Sequence, residues 1–381
     1  MMRTMWMAAL VAVAVSTPAL ASIRGNLRNS PSAVELQLND ERFRNAIDLI
    51  VESAARNVPT PSSGGNVTYR YNPTTDKYEQ TSGTFGPTPF MERAETLGRN
   101  TWNVGLTFSY FELDEFDGDK VGADRVPISV GGETLLFNTT PKIIYHTFTL
   151  NVTYGITDDL DLNVAIPLHA IDFDANANLQ RPGQQSFNIA VHSKVSVGLG
   201  DIHLRAKYHV LDWQGLQTAL GVDVRLPTGD PTDALGTGTG TIQPYLALSH
   251  RYFDWIEPQL NAGFEFDVVE SNRSRAHYSL GTTFTPCKWF DMAFSLLGQS
   301  EVDGARSTAS VSGPHVVNGT TTNLPYEAVS GDRKDYFDAV IAARVRIWET
   351  ITFTGGVMKA LNDDGLRSSL WSPILAFQGT F

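Results

Sequence analysis

Four groupings of side chains in this sequence have the types and spacing to do chemistry. Asp201, His203, Arg205, Lys207 and His209 recur every second residue, and Asp223 and Arg225 follow in a separate segment. A step of two places such a row on one face of a β-strand, where the second segment can pair with it across the sheet. The row then reads as a salt-bridged wall or as a constriction along a solute path. Its mixed signs argue against strong selectivity for either sign of ion.

His277 and Ser279 also share a strand face. They could form a base and nucleophile, but no third group that would orient the imidazole is identifiable, so polar lining is the expected role. Gly198-Leu-Gly-Asp201 and Gly236-Thr-Gly-Thr-Gly240 resemble phosphate loops. Neither is followed by Lys-Ser/Thr or opens a helix, so a strand start and a flexible outer loop are expected instead. Asp114, Glu115, Asp117, Asp119 and Asp124 surround Gly118 without the spacing of a calcium-binding loop. They read as a solvated outer loop, with divalent-cation bridging to lipopolysaccharide phosphates as the alternative. No metal or cofactor is expected.

The elements that must position these groups are strands. From Arg99 onward the chain is a series of alternating segments of about ten residues, the length that crosses a bilayer when tilted. In Thr101–Tyr110, Trp102, Val104, Leu106, Phe108 and Tyr110 point one way and Thr101, Asn103, Gly105, Thr107 and Ser109 the other. Twelve such segments lie near 101–111, 142–154, 160–170, 198–211, 217–227, 241–250, 256–268, 275–285, 289–299, 336–347, 351–359 and 371–381. Short turns alternate with longer loops, the pattern of an outer-membrane barrel with both ends in the periplasm.

In this register one face carries Asp161, Asp201, Arg205, Lys207, Asp223, Arg225, Glu257, Glu265, Asp267, Asp291, Asp338, Arg344 and Arg346, while the other carries only Lys359, at a strand end. A charge facing lipid at mid-bilayer costs about 2–4 kcal/mol, which accounts for that asymmetry. Trp102, Trp213, Trp255, Trp289 and Trp348 all fall at the short-turn end, the headgroup depth where tryptophan concentrates. A soluble sandwich has no reason to align its tryptophans by height.

The N-terminal region is different. Arg3, the apolar run Met5–Val15 and Ala19-Leu-Ala21 read as a cleavable signal, with the mature chain starting at Ser22. Val34–Val58 has the periodicity of a helix ended by Pro59 and Pro61, and a small hairpin is expected over 67–81. Loss of Arg3 leaves 28 basic against 41 acidic groups, a net charge of −13. With no basic block, nucleic acid is excluded as a partner. The lone Cys287 permits no internal disulfide.

The segments Gly198–Tyr208, Ala219–Pro231, Gly236–Gly240 and Ile242-Gln-Pro244 resemble the MetA-pathway phenol-degradation family of outer-membrane proteins. Phe85-Gly-Pro87, Glu92-Arg93, Leu97-Gly98 and Tyr154–Asp158 fit the same style. The resemblance implies a transporter of small molecules without catalytic residues to carry over.

The expected architecture is all-β: a transmembrane antiparallel up-and-down barrel of about 12 strands (12–14) over 99–381, after a signal peptide (1–21) and an N-terminal helix and hairpin segment (22–98) that plugs the barrel or extends into the periplasm. The expected function is passive passage of small, aromatic or hydrophobic molecules through the outer membrane. A lipid-acting enzyme at Ser279 and a surface-interaction barrel are the alternatives. Asp201, His203, Arg205, Lys207, Asp223, Arg225, Glu265, Asp267, Arg344 and Arg346 are the candidate lumen-lining residues. Expected partners are outer-membrane lipid and lipopolysaccharide, a small solute, and the barrel-assembly machinery, engaged through the strand ending at Phe381. Mass spectrometry of the mature protein should place its first residue at Ser22; a chain retaining residues 1–21 would overturn the signal reading.

Overall fold

The computed structural model describes residues 54–63, 69–72, 77–80, 89–116, 118–120, 126–130, 133–180, 187–252, 255–303, 310–317, 320–327, 333–348 and 350–381. The signal segment and most of the expected helix lie outside these residues; 54–57 form its helical last turn. The expected hairpin is present as Tyr69–Asn72 paired with Lys77–Gln80.

The barrel strands are β1 (Trp102–Leu113), β2 (Glu133–Gly155), β3 (Leu160–Gln180), β4 (Phe187–Leu199), β5 (Ile202–Trp213), β6 (Leu216–Leu226) and β7 (Thr241–His250). They continue as β8 (Ile256–Asp267), β9 (Arg275–Cys287), β10 (Phe290–Glu301), β11 (Asp335–Arg346), β12 (Ile351–Ala360) and β13 (Ser372–Thr380). All pairings are antiparallel between neighbours, and β13 returns to β1 to close a ring of 12 strands. At the seam, Trp102 and Phe381 exchange both backbone hydrogen bonds, at 2.9 and 2.8 Å. No helix among the described residues is long and apolar enough to cross a membrane.

Two departures from the expected segments carry information. β2 and β3 pair over their whole length, from Leu136↔Gln180 down to Gly155↔Asp161, and so extend well beyond a bilayer crossing. The segment expected as one strand at 198–211 is instead two collinear pieces. β4 pairs with the upper part of β3 and β5 with the lower part, with a break at Gly200-Asp201. Only β5 has a second neighbour, β6; the other edge of β4 has no strand partner among the described residues.

The exterior is apolar. Leu106, Phe148, Leu150, Leu204, Leu220, Leu260, Phe294, Ile341 and Phe377 are all exposed, each on the face away from the interior. An apolar belt that encircles a closed barrel is stable only in lipid. Trp102, Trp213, Trp255, Trp289 and Trp348 are exposed beside the short-turn end, where they form the interfacial girdle. The chain is thus an outer-membrane β-barrel.

Leu106 sits mid-strand, between Leu150 on β2 and Phe377 on β13. Leu106→Arg should therefore destabilise the barrel by about 2–4 kcal/mol in urea titrations from lipid vesicles. A change under about 0.5 kcal/mol would show that this face does not meet hydrocarbon.

Candidate functional site

A twelve-strand barrel encloses more volume than its own side chains fill, and here the chain itself occupies the space. Residues 54–63 and 89–98 run through the interior, with Ala54, Met91 and Ala94 wholly buried. Two groups of polar contacts anchor them. Near the short-turn end, Arg93 Nη2 lies 3.2 Å from Glu257 and 2.7 Å from Glu95, and Arg251 reaches Glu95 at 3.0 Å. The Leu97 amide donates to Asp161 at 2.9 Å. Glu92 and Asn261 exchange hydrogen bonds, each 2.8 Å, through the Glu92 backbone. Higher up, Arg56 Nη2 lies 3.4 Å from Asp267 and 3.6 Å from Glu265, and Arg205 donates to the Pro61 carbonyl at 2.6 Å. Glu92 also accepts from the Ser63 amide and hydroxyl, which ties the two interior segments together.

The interior face assigned from the alternation is the one that receives these segments. Asp223 accepts from both His203 Nδ1 (2.9 Å) and Arg205 Nε (2.7 Å), the cross-strand contact expected from the spacing. Arg225 skips β7 and pairs with Glu265 on β8 at 3.2 Å. Lys207 lies 3.9 Å from Asp161 and 4.0 Å from Glu92, so it too faces the interior segment. Arg344 donates to Thr354 at 3.0 Å, with Asp291 3.9 Å away; Arg346, half-buried, ends its strand on the interior face. Asp201, Glu265 and Asp267 hold interior chain rather than face an open bore.

The glycine-rich loop is not a flexible outer loop. Residues 234–237 are buried inside the barrel mouth. Asp201, placed at the break between β4 and β5, accepts from the Gly229 amide (3.0 Å), the Thr237 amide (2.8 Å) and the Thr237 hydroxyl (2.7 Å). The Thr239 hydroxyl donates to Asp267 at 2.7 Å. Leu235 packs against the interior face of β4: a Cβ on Gly198 would come 2.7 Å from its Cδ1. Glycine and threonine suit this loop because small side chains let its backbone approach the wall while buried carboxylates satisfy the amides and hydroxyls.

Nor is the interior polar throughout. Phe111, Leu113, Ile143, Tyr145, Ile171, Phe173 and Ile374 line the upper end and pack with Ala54, Leu235 and Leu366. Leu366 belongs to a second inward loop, held by Arg367 to Asp338 (3.2 Å) and to the Phe337 carbonyl (2.6 Å). Asn57 donates to the Leu366 carbonyl at 3.0 Å, and Arg275 and Arg367 each lie 5.2 Å from the Tyr336 ring centre. The acidic cluster joins this lid: Asp114 accepts from the Ser369 amide (2.9 Å) and hydroxyl (2.6 Å), and Glu115 pairs with Arg367 along the backbone; Asp117 and Asp124 lie outside the described residues.

Below the lid a cavity of about 200 Å³ remains, lined by Phe90, Leu235, Leu297 and Tyr245 together with the Arg225, His203 and His277 side chains. His277 and Ser279 line it without forming a catalytic pair: His277 faces Glu265 at 3.4 Å and the Ser279 hydroxyl faces Asn261 at 3.5 Å. Among the described residues no cluster could hold a metal ion. The reading of the sequence did not single out Arg56, Glu95, Arg275 or Tyr245 as site residues. Alternation marks which side of a wall a residue takes, but not which loop or terminus fills the space opposite.

With this geometry in place, comparison with known proteins assigns the class. The family model described as "Putative MetA-pathway of phenol degradation" matches residues 117–314, over half of the chain, and the chain belongs to that family. Among solved structures it is similar to an outer membrane channel from Pseudomonas putida F1, at 14% identity and a TM-score of 0.51, over 76% of this chain and 98% of that one. Fainter likenesses are to the toluene transporter TodX of P. putida (10% identity, TM-score 0.36, 74% and 90% covered) and a FadL homologue from Pseudomonas aeruginosa (9%, 0.37, 85% and 98%). At 14% identity the likeness to the P. putida F1 channel extends to the fold alone. No curated protein matches the chain.

The buried Arg93–Glu257 pair anchors the lower interior segment, with both side chains at most 2% exposed. Arg93→Met should cost about 3 kcal/mol by leaving a buried carboxylate short of its partner. In hydrogen exchange, amides 91–97 should lose protection while those of the strands keep theirs. Unchanged protection at 91–97 would mean that the pair does not hold the segment.

Proposed function

We propose that this barrel carries small aromatic or hydrophobic molecules across the outer membrane by passive diffusion, and that it is closed to free ion flow in the folded state described. The observation that carries this reading is the filled interior. A hydrophilic pore needs a continuous wet bore, whereas here residues 54–63, 89–98 and two inward loops meet in an apolar cluster at the outer mouth. The family's name points toward the same solute class.

The wall supplies a side route. Where β4 has no second strand partner among the described residues, the loop carrying Leu235 packs against it from within. Val195, Val197 and Leu199 of β4 are exposed, as lipid-facing positions are. Unpaired backbone at membrane depth is tolerated only where protein covers it, so displacement of this loop would connect the cavity to the bilayer. Recognition by lipopolysaccharide, and by the assembly machinery through the strand ending at Phe381, belongs to the same proposal and is supported by the barrel class alone.

Full-length protein in a planar bilayer should pass little current, and deletion of residues 22–98 should give discrete open steps. Joining Gly198→Cys to Leu235→Cys, in a Cys287→Ser background, should cut toluene uptake into vesicles to background and recover it on reduction. Uptake unaffected by the cross-link would overturn the side route. Steady large current through the full-length protein would overturn the closed state.

A further inference from the structure

We infer that the interior chain makes one further crossing of the membrane, from an outer end at Ala54 to a periplasmic end at Gly98, so that the chain preceding Ala54 is presented at the cell surface and the closing segment 54–63 is released from that side. This goes beyond the conduit reading: it rests on the path of the chain and not on the solute.

Height inside the barrel is read from the wall residues that each part of the chain touches. Ala54 packs in the cluster that holds Leu113, the last residue of β1, and Ile374, near the start of β13, both at the outer end. Asn57 donates to the Leu366 carbonyl of the lid at 3.0 Å. The Pro61 carbonyl accepts from Arg205, further down β5. The Ser63 carbonyl accepts from the Thr153 hydroxyl, beside the short turn that follows Gly155. Residues 89–98 do not climb back to the mouth. The Pro89 carbonyl accepts from the Ser62 amide at 2.7 Å, and the Leu97 amide meets Asp161 at the periplasmic end of β3. From Ala54 to Gly98 the chain therefore descends once.

An even number of strands returns the two ends of a barrel to one side, and β1 and β13 do meet at the short-turn rim. One more crossing makes the total odd. The expectation of both ends in the periplasm then holds for the barrel and fails for the start of the chain. Ala54, Tyr145, Ile171, Phe173 and Ile374 are each at most 1% exposed and pack together at the mouth. Packing at that density leaves no room for the chain to run back down beside them.

The direction of release follows from the path. Drawing 54–63 toward the periplasm would thread all the preceding chain through the closed mouth. Lifting it outward breaks only the contacts of Arg56, Asn57, Pro61 and Ser63, with residues 64–88 supplying the length. Residues 89–98 keep their own anchors, Arg93 on Glu257 and Leu97 on Asp161. The cavity, which Arg56, Val58, Thr60 and Ser62 help to line, then loses one wall and opens toward the cell exterior.

The test is labelling of intact cells with a membrane-impermeant polyethylene glycol maleimide too large to enter the barrel, in full-length protein carrying Cys287→Ser. Ser30→Cys and Asn26→Cys should each react to the same extent before and after the outer membrane is permeabilised. Arg333→Cys, exposed at the outer end, should do likewise, and Lys288→Cys, exposed in a short turn, should react only after permeabilisation. Heat-modifiable gel migration confirms a folded barrel in every variant. Failure of both positions 26 and 30 to react until permeabilisation would overturn the crossing. Toluene uptake should be the same with the polymer attached at position 30 as without it, because a segment that moves outward carries its tether along. Uptake lost on attachment would overturn outward release. Absence of uptake in unlabelled cells would remove the conduit and leave the crossing standing.

Discussion

A backbone amide or carbonyl facing hydrocarbon has no water to bond with, and the architecture of this protein follows from that constraint. It forces each strand to have two neighbours, and so forces the sheet to close. It explains why β13 returns to β1 with both Trp102–Phe381 hydrogen bonds made. It also makes an exception in the wall informative. Among the described residues β4 has one strand neighbour, and there the chain turns a loop inward and seats Leu235 against the wall. The missing hydrogen bonds of a strand edge and the buried position of an unusually small-residue loop are one feature seen from two sides.

Closure creates a second problem, an interior that must be filled or wetted. The protein fills it with its own polypeptide and satisfies the buried polar groups in matched sets. Asp201 takes three donors from the glycine-rich loop, Asp223 takes two from β5, and Glu92 links Ser63 to Asn261. Removing one member of such a set strands the rest, so the interior is held by mutual dependence more than by any single contact. The upper end uses a different principle. There the walls are aromatic and aliphatic, and the segments they receive present Ala54, Leu235 and Leu366.

The wall was legible in the sequence because a half-lipid, half-lumen strand must alternate, and twelve alternating segments are the twelve strands of the ring. Strand ends were less legible. β2 and β3 run far beyond the bilayer, where lipid no longer imposes apolar positions. The 198–211 segment reads as one strand because Gly200-Asp201 leaves the alternation on either side intact. Gly236–Gly240 has the composition of a flexible loop; Asp201 and Asp267, distant in sequence, make it a buried element. Arg56 gives no signal of its own and Arg93 enters only through the family resemblance, since an arginine on a polar segment looks the same whether it meets water or a buried carboxylate. The row Asp201–Lys207 did show its face, and its partners came from Pro61, Glu92 and the loop at 229–237.

The compensated charge of the interior has a consequence for direction. The outer membrane sustains a Donnan potential, and a bore with a net field would couple solute movement to it and to ambient salt. Walls whose arginines are matched by carboxylates exert little long-range field. A neutral solute crossing such a barrel feels only its own concentration difference. Net inward flow is then set by whatever consumes the molecule on the far side, and the barrel runs in either direction with equal ease when that sink is removed.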